Sequence, residues 1–277
     1  MGSDSLQPIQ DESLRLAALR AVFPGMQVSI DKGRKIDNSW PKKPQLGERF
    51  FPDVLADEEV YRVIGKAANK AEQDASMDLV SGRFSNERQV RLKIFRWPGD
   101  NLTGLLAVLQ YDFMDVNPAM CCLSIGRLVH LVGNATGWQM RNEHLLETGH
   151  HSAVQRIEML DLTGHNVYEL VIESDFGGPG TSGSSLQVFD LSRGRFEELL
   201  HTYSWLDYMD EDGYKQSLDI DRTLQTHGQQ FCVLKTTRYN KVEWFNPPRV
   251  THPCYKRGEG IDPEGVKLTN ESLAPLQ

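Results

Sequence analysis

The chain predicts a mainly β protein: an antiparallel meander preceded by an N-terminal helix and an extended arm. Three observations carry that prediction. From about residue 88 onward, short apolar or alternating segments are separated by Gly, Ser, Pro and Asp clusters, the texture of strands and turns. Only one segment, residues 12–23, shows clear helical spacing. A polar turn followed by an apolar strand also recurs at three places, starting at Asn101, Asp161 and Asp219, which lie 60 and 58 residues apart.

Taken in order, residues 1–12 are polar and read as disordered. In 12–23, Leu14, Ala17, Ala18, Ala21 and Val22 fall on one helical face, and Pro24-Gly25 ends the helix. Residues 31–53 mix charges with prolines and glycines and read as an extended arm, so the organisation expected is 1–53 helix and arm, 54–254 β-rich domain, and 255–277 loose tail. Residues 54–80 read two ways: they are rich in Ala, Glu and Lys as a helix would be, yet contain the strand-like Val60-Tyr61-Arg62-Val63-Ile64. Beyond them, 89–97 alternates Val90, Leu92 and Ile94 with Arg91 and Lys93, as a half-buried strand does. Residues 105–111 form a nearly continuous apolar strand, and 124–132, 138–146, 170–173, 186–191 and 196–201 complete the strand set.

Composition excludes several function classes. A net charge of −8 argues against a nucleic-acid binder, which needs a basic face. The basic residues Lys32, Arg34, Lys35, Lys42, Lys43 and Arg49 are interrupted by prolines and read as a solvated linker. No apolar run approaches the roughly 18 residues needed to cross a bilayer as a helix. The four cysteines, at 121, 122, 232 and 254, form no CxxC, which removes zinc-ribbon and thioredoxin-like chemistry. Neighbours 121 and 122 are too close to bridge without strain; Cys122 with Cys232 or Cys254 is a candidate pair in an oxidising compartment, and buried free thiols are the alternative.

The segment Asp161-Leu162-Thr163-Gly164-His165-Asn166-Val167-Tyr168-Glu169-Leu170-Val171 sets oxygen-bearing residues at spaced positions, turns at Asn166 and enters an apolar strand. A hard cation wants several oxygens from a compact turning segment, and Asn tolerates the left-handed conformation that such a turn needs. This segment resembles the calcium loop of FG-GAP and VCBS-type β-propeller repeats, Asp-x-Asp/Asn-x-Asp-Gly-x-x-Asp/Glu-Leu. Asp161 and Glu169 match its acidic positions, Thr163 offers a hydroxyl, and His165 departs from the pattern. The stretch 186–196 is similar to the outer edge of such blades, whereas the N-terminal third resembles no such repeat. The resemblance implies partial propeller-like repeats within the meander, with Asp161, Thr163 and Glu169 as ligands to calcium; no other cofactor is expected.

Other constellations carry weaker chemistry. The run 177–185 is glycine- and serine-rich but has no lysine and precedes a strand, so it reads as a hairpin connection and not as a phosphate loop. It also lacks the last glycine of a nucleophile elbow. Five of the eight histidines, at 130, 144, 150, 151 and 165, fall within 36 residues, yet no HExxH is present. Asp207, Asp210, Glu211 and Asp212 cluster beside Trp205, Tyr208 and Tyr214, a combination found in hydrolytic and sugar-binding clefts. The expected function is a non-catalytic binding or interaction module, secreted or periplasmic, with a protein or carbohydrate partner. The alternatives are a hydrolase of polymers or esters using the carboxylates at 207–212 or the histidines at 144–165, and a structural subunit of a larger assembly.

Overall fold

A computed structural model describes residues 7–31, 55, 58–67, 69–78, 82–98, 104–113, 124–146, 153–163, 168–178, 181–209, 215–227, 230–239, 249–251, 254–256 and 260–262. The fold is mainly β and antiparallel, as the sequence predicts. Helix α1 spans Glu12–Val22; the Asp11 side chain caps it by accepting from the Leu14 N–H at 3.1 Å. Phe23 closes its last turn onto the Leu19 carbonyl at 2.8 Å, and Gly25 then takes the left-handed conformation, φ +76°, that reverses the chain. The strand β1 (Gln27–Ile30) follows, then β2 (Val60–Ile64) and a short helix α2 (Lys70–Ser76). Both readings of 54–80 are therefore present, in succession. A small hairpin, β3 (Met77–Asp78) with β4 (Arg83–Phe84), leads into β5 (Glu87–Arg96), β6 (Gly104–Phe113), β7 (Ser124–Asn134) and β8 (Gly137–Leu145).

The first sheet has the order β1-β2-β5-β6-β7-β8. Its central strand β6 is buried on both faces, which explains the continuous apolar run that the sequence shows there. Leu105, Ala107, Leu109, Tyr111 and Phe113 join Ala18, Leu19, Val22 and Phe23 of the α1 region in one core, together with Val90, Leu92 and Ile94 of β5. The intervening Leu106 and Val108 belong to a second core.

That second core lies between the sheets. The second sheet is built by β9 (Ala153–Leu160), β10 (Glu169–Gly178), β11 (Thr181–Asp190), β12 (Glu197–Met209), β13 (Lys215–His227), β14 (Gln230–Tyr239), β15 (Arg249–Thr251), β16 (Cys254–Lys256) and β17 (Gly260–Asp262). Chain neighbours from β9 to β14 pair in order, a meander, and β14 takes both β15 and β16 on its other side. Val154, Met159, Leu170, Ile172 and Phe189 of this sheet pack with Phe95, Leu106, Val108, Leu128 and Leu146 of the first-sheet segment. β13 pairs with β12 only from Trp205 to Met209. The rest of the β13–β14 hairpin leaves that pairing, and Phe231 and Val233 join Val171, Leu186, Val188, Leu199 and Leu200 in a third core. The second sheet thus curls over its own outer face while its strand order stays open.

Three local expectations are corrected. Asp219-Ile220-Asp221 lies inside β13 and is not a turn; Asp161 directly follows β9, and 101–103 lie outside the described residues. The disulfide joins Cys232 to Cys254, which face each other across β14 and β16; Cys121 and Cys122 lie outside the described residues. The strand pairing also continues past Cys254, to Asp262. The run 177–185 is a hairpin as read, but the ladder extends through it to the Gly178–Thr181 pair. Of the expected arm, 32–53 lie outside the described residues.

Candidate functional site

Polar side chains from both sheets meet at the rim of the inter-sheet core, and β-bulges put them there. In β8, residues 138, 142 and 144 would share one face of a regular strand. The pairing of β8 with β7 shifts between His130 and Leu131, so that Arg141 is the extra residue. Trp138 consequently packs toward α1, while Asn142 and His144 face the second sheet. In β12 the same device acts: Phe189 pairs with Glu198 and Val188 with Leu200, so Leu199 is the extra residue. Glu198 and His201, three apart, both come to the face shared with Gln187 and Phe189.

The geometry is specific. Gln187 Nε2 donates to Glu198 Oε2 at 2.8 Å and lies 3.4 Å from His144 Nε2. His144 Nε2 stands 3.8 Å from the same carboxylate oxygen. The His144 ring sits edge-on to Phe189, centroids 4.7 Å apart. Alongside, His201 contacts Tyr203 at 5.4 Å and Tyr203 contacts Phe176 at 5.7 Å. His144 and Glu198 keep 27% and 35% of their side-chain surface exposed, so solvent reaches the cluster. Burial pushes the His144 pKa down; the nearby Glu198 charge opposes this, and His201 adds to it.

Two amides of the second sheet, Gln187 in this cluster and Gln155 on β9, are buried and incompletely satisfied. Gln187 Oε1 has no hydrogen-bond partner among the described residues, nor does either amide atom of Gln155. Gln155 occupies the bulge of β9, where the pairing with β10 shifts between Glu173 and Ser174. Buried side-chain amides are ordinarily bonded, to protein groups or to ordered water.

Behind the cluster, a clamp fixes the two sheets. His130 is fully buried; its Nδ1–H donates to the Gly194 carbonyl at 2.9 Å, and Asn142 Nδ2 donates to the same oxygen at 2.7 Å. Trp97 stacks on His130 at 3.6 Å, and Phe196 closes edge-on to Trp97 at 5.4 Å. Gly194 has φ +66°, a conformation that suits glycine, at the turn that leads into β12. The clamp therefore sets where Glu198 stands relative to His144.

The residues expected to hold calcium lie elsewhere. Glu169 is buried; one carboxylate oxygen accepts from the Leu162 N–H and the other from the Thr163 hydroxyl, each at 2.9 Å. Asp161 is half-buried at the end of β9, and 164–167, including His165, lie outside the described residues. Both Glu169 oxygens thus serve protein donors, and the described residues contain no group of three His, Cys, Asp or Glu placed to hold a metal ion. The donor set on view is that of a hydrogen-bonded turn, and calcium there rests on the sequence resemblance.

Of the five clustered histidines, His144 enters the rim cluster and His130 the clamp; His150, His151 and His165 lie outside the described residues. Asp207 lies in β12 opposite Ser182, and 210–214 are outside the described residues. Sequence reasoning missed Gln187, Glu198, His201 and Tyr203. No motif marks them, because two bulges and a strand pairing bring them together. No family model, no curated protein and no solved structure matches this chain.

Proposed function

We propose that this chain is a non-catalytic binding module that takes a hydroxyl-rich ligand, a short oligosaccharide, at the rim between its two sheets. One observation carries the reading: His144 of the first sheet and Glu198 of the second meet through Gln187 at the solvent-reached rim of the inter-sheet core. A carboxylate, an amide and two imidazoles supply both donors and acceptors, the complement that sugar hydroxyls require. Phe176 and Tyr203 supply apolar ring surface beside them. The Cys232–Cys254 disulfide supports a secreted or periplasmic setting, where such bonds persist.

Titration calorimetry against maltotriose, cellotriose and xylotriose near neutral pH tests the reading. At least one is expected to bind with a Kd of about 1 mM or tighter. Glu198→Gln and Tyr203→Ala are each expected to weaken binding by about tenfold, the loss of roughly one hydrogen-bonded or stacked contact. No binding across the panel, or equal binding by both variants, sinks it.

A further inference from the structure

The α1-facing side of the first sheet holds a second polar cluster, fully buried. Arg88 on β5, Tyr111 on β6 and Arg127 on β7 converge beneath the two helices, each among the most buried side chains of the fold. They close on one carboxylate. Glu72 of α2 accepts from Arg88 Nη2 at 2.9 Å through one oxygen and from the Tyr111 hydroxyl at 2.8 Å through the other, with Arg127 Nη1 3.8 Å away. Aromatic rings wall the cluster. The Arg88 guanidinium lies 4.9 Å from the Phe113 ring centre, and both guanidiniums lie within 6 Å of Phe23, at 5.9 and 5.7 Å. Arg127 also pairs with Glu143 through Nη2, while Arg88 Nη1 donates to the Gly65 carbonyl at 3.0 Å. Even so, Arg88 Nε and Arg127 Nε have no hydrogen-bond partner among the described residues.

Two facts make this more than a structural ion pair. Burying charge is expensive, and an apolar set of similar volume would fill the same space with less desolvation. The guanidinium fork and phenol are instead the donors that suit a carboxylate. The carboxylate also comes from a helix of seven residues, capped by Asn69 Oδ1 accepting from the Glu72 N–H at 3.0 Å. So short a helix has little stability of its own and depends on what its side chains grip.

We infer that Arg88, Tyr111 and Arg127 form a carboxylate-binding site which Glu72 fills in cis, and that a small apolar carboxylic acid exchanges with Glu72 there, releasing α2. The exchange conserves charge, since one carboxylate replaces another. The rings of Phe23 and Phe113 lie against the guanidiniums and make the surroundings of a carboxylate bound there apolar, which favours an acid with no further polar group.

Butyrate is the probe, with acetate as the shorter acid and chloride at equal ionic strength as the control. In the unaltered protein, amide hydrogen exchange across 70–76 is expected to proceed by local opening, faster than in β5–β7, and to rise about tenfold in saturating butyrate as α2 is released. In Glu72→Ala, butyrate is expected to raise the melting midpoint saturably, more than acetate does, and chloride not at all. Exchange at 70–76 that follows only global unfolding, or that butyrate leaves unchanged, overturns the inference whatever the variant does. A Glu72→Ala protein that folds but gains no more from butyrate than from chloride overturns it too. Should that variant fail to fold, the exchange measurement decides.

Discussion

An imidazole beside a carboxylate ordinarily holds its proton more tightly, but His144 holds it less tightly, because burial outweighs the attraction of Glu198. A histidine whose folded-state pKa is depressed is neutral in the fold and takes up a proton more readily once unfolded. Its contribution to stability is therefore complete above the unfolded value of about 6.5 and is lost as the pH falls through the lower folded value. The melting midpoint of the protein is expected to fall between about pH 7 and pH 5, and that of His144→Gln to fall by less over the same interval. Identical slopes for the two proteins would refute this account of His144. At this scale the sequence was partly legible. His144 was visible as a candidate from composition, but its partners were not. Period-two reasoning puts Glu198 and His201 on opposite faces, and only the extra residue Leu199 reverses that. The oxygen-bearing residues of 161–169 pointed to a cation loop, and in the fold two of them, Thr163 and Glu169, bond to each other.

α1 reads well from sequence, by its spacing and by the Pro24-Gly25 stop. The alternation of β5 marks it as a strand but not as a half-buried one: both its faces are covered, and Arg88, Gln89 and Arg91 are buried with the apolar residues. β13 was misread because Asp219 and Asp221 flank Ile220, and aspartates in a strand look like a turn when the partner strands are unknown. The disulfide illustrates the same limit, since spacing does not reveal that Cys232 and Cys254 stand opposite each other in register on β14 and β16. Those strands belong to the part of the second sheet that leaves β12, and Cys232 itself is buried next to Phe231 and Val233 of the third core. A bond closing a loop with a sequence separation of 22 limits the unfolded chain and should contribute about 3 kcal/mol. Reduction, or the double change Cys232→Ala and Cys254→Ala, is expected to lower stability by that amount in urea unfolding. A loss well under 1 kcal/mol would mean that pairing and packing alone hold β16 in place.

Across the whole molecule, the spacing of about 60 residues concerns recurrence along the chain, whereas the partition into two sheets depends on which strand pairs with which. That partition follows from the inter-sheet core. β6 sends Leu106 and Val108 one way and Leu105, Ala107 and Leu109 the other, so the first sheet cannot bury both faces without the second sheet to cover it. Phe189 sits on the opposing wall, in the same core as Leu106, Val108 and Leu128. Its ring also meets His144 and Phe196, which ties it to the rim cluster and, through Trp97 and His130, to the clamp. Neither sheet then has a complete core alone, and both should unfold together. Phe189→Ala is expected to cost about 3–5 kcal/mol, the usual penalty for emptying a buried aromatic site. The loss should appear as one shifted transition, with tryptophan fluorescence and far-ultraviolet circular dichroism changing at the same denaturant concentration. Trp97 and Trp138 lie in the first sheet's two cores and Trp205 in β12 of the second, so in a protein carrying Trp205→Phe the fluorescence weights the first sheet while the dichroism averages over both, and separate unfolding would split the probes. Such a split, with one transition left in place by Phe189→Ala, would show that each sheet is stable without the other and would remove the basis for a binding rim held rigidly between them.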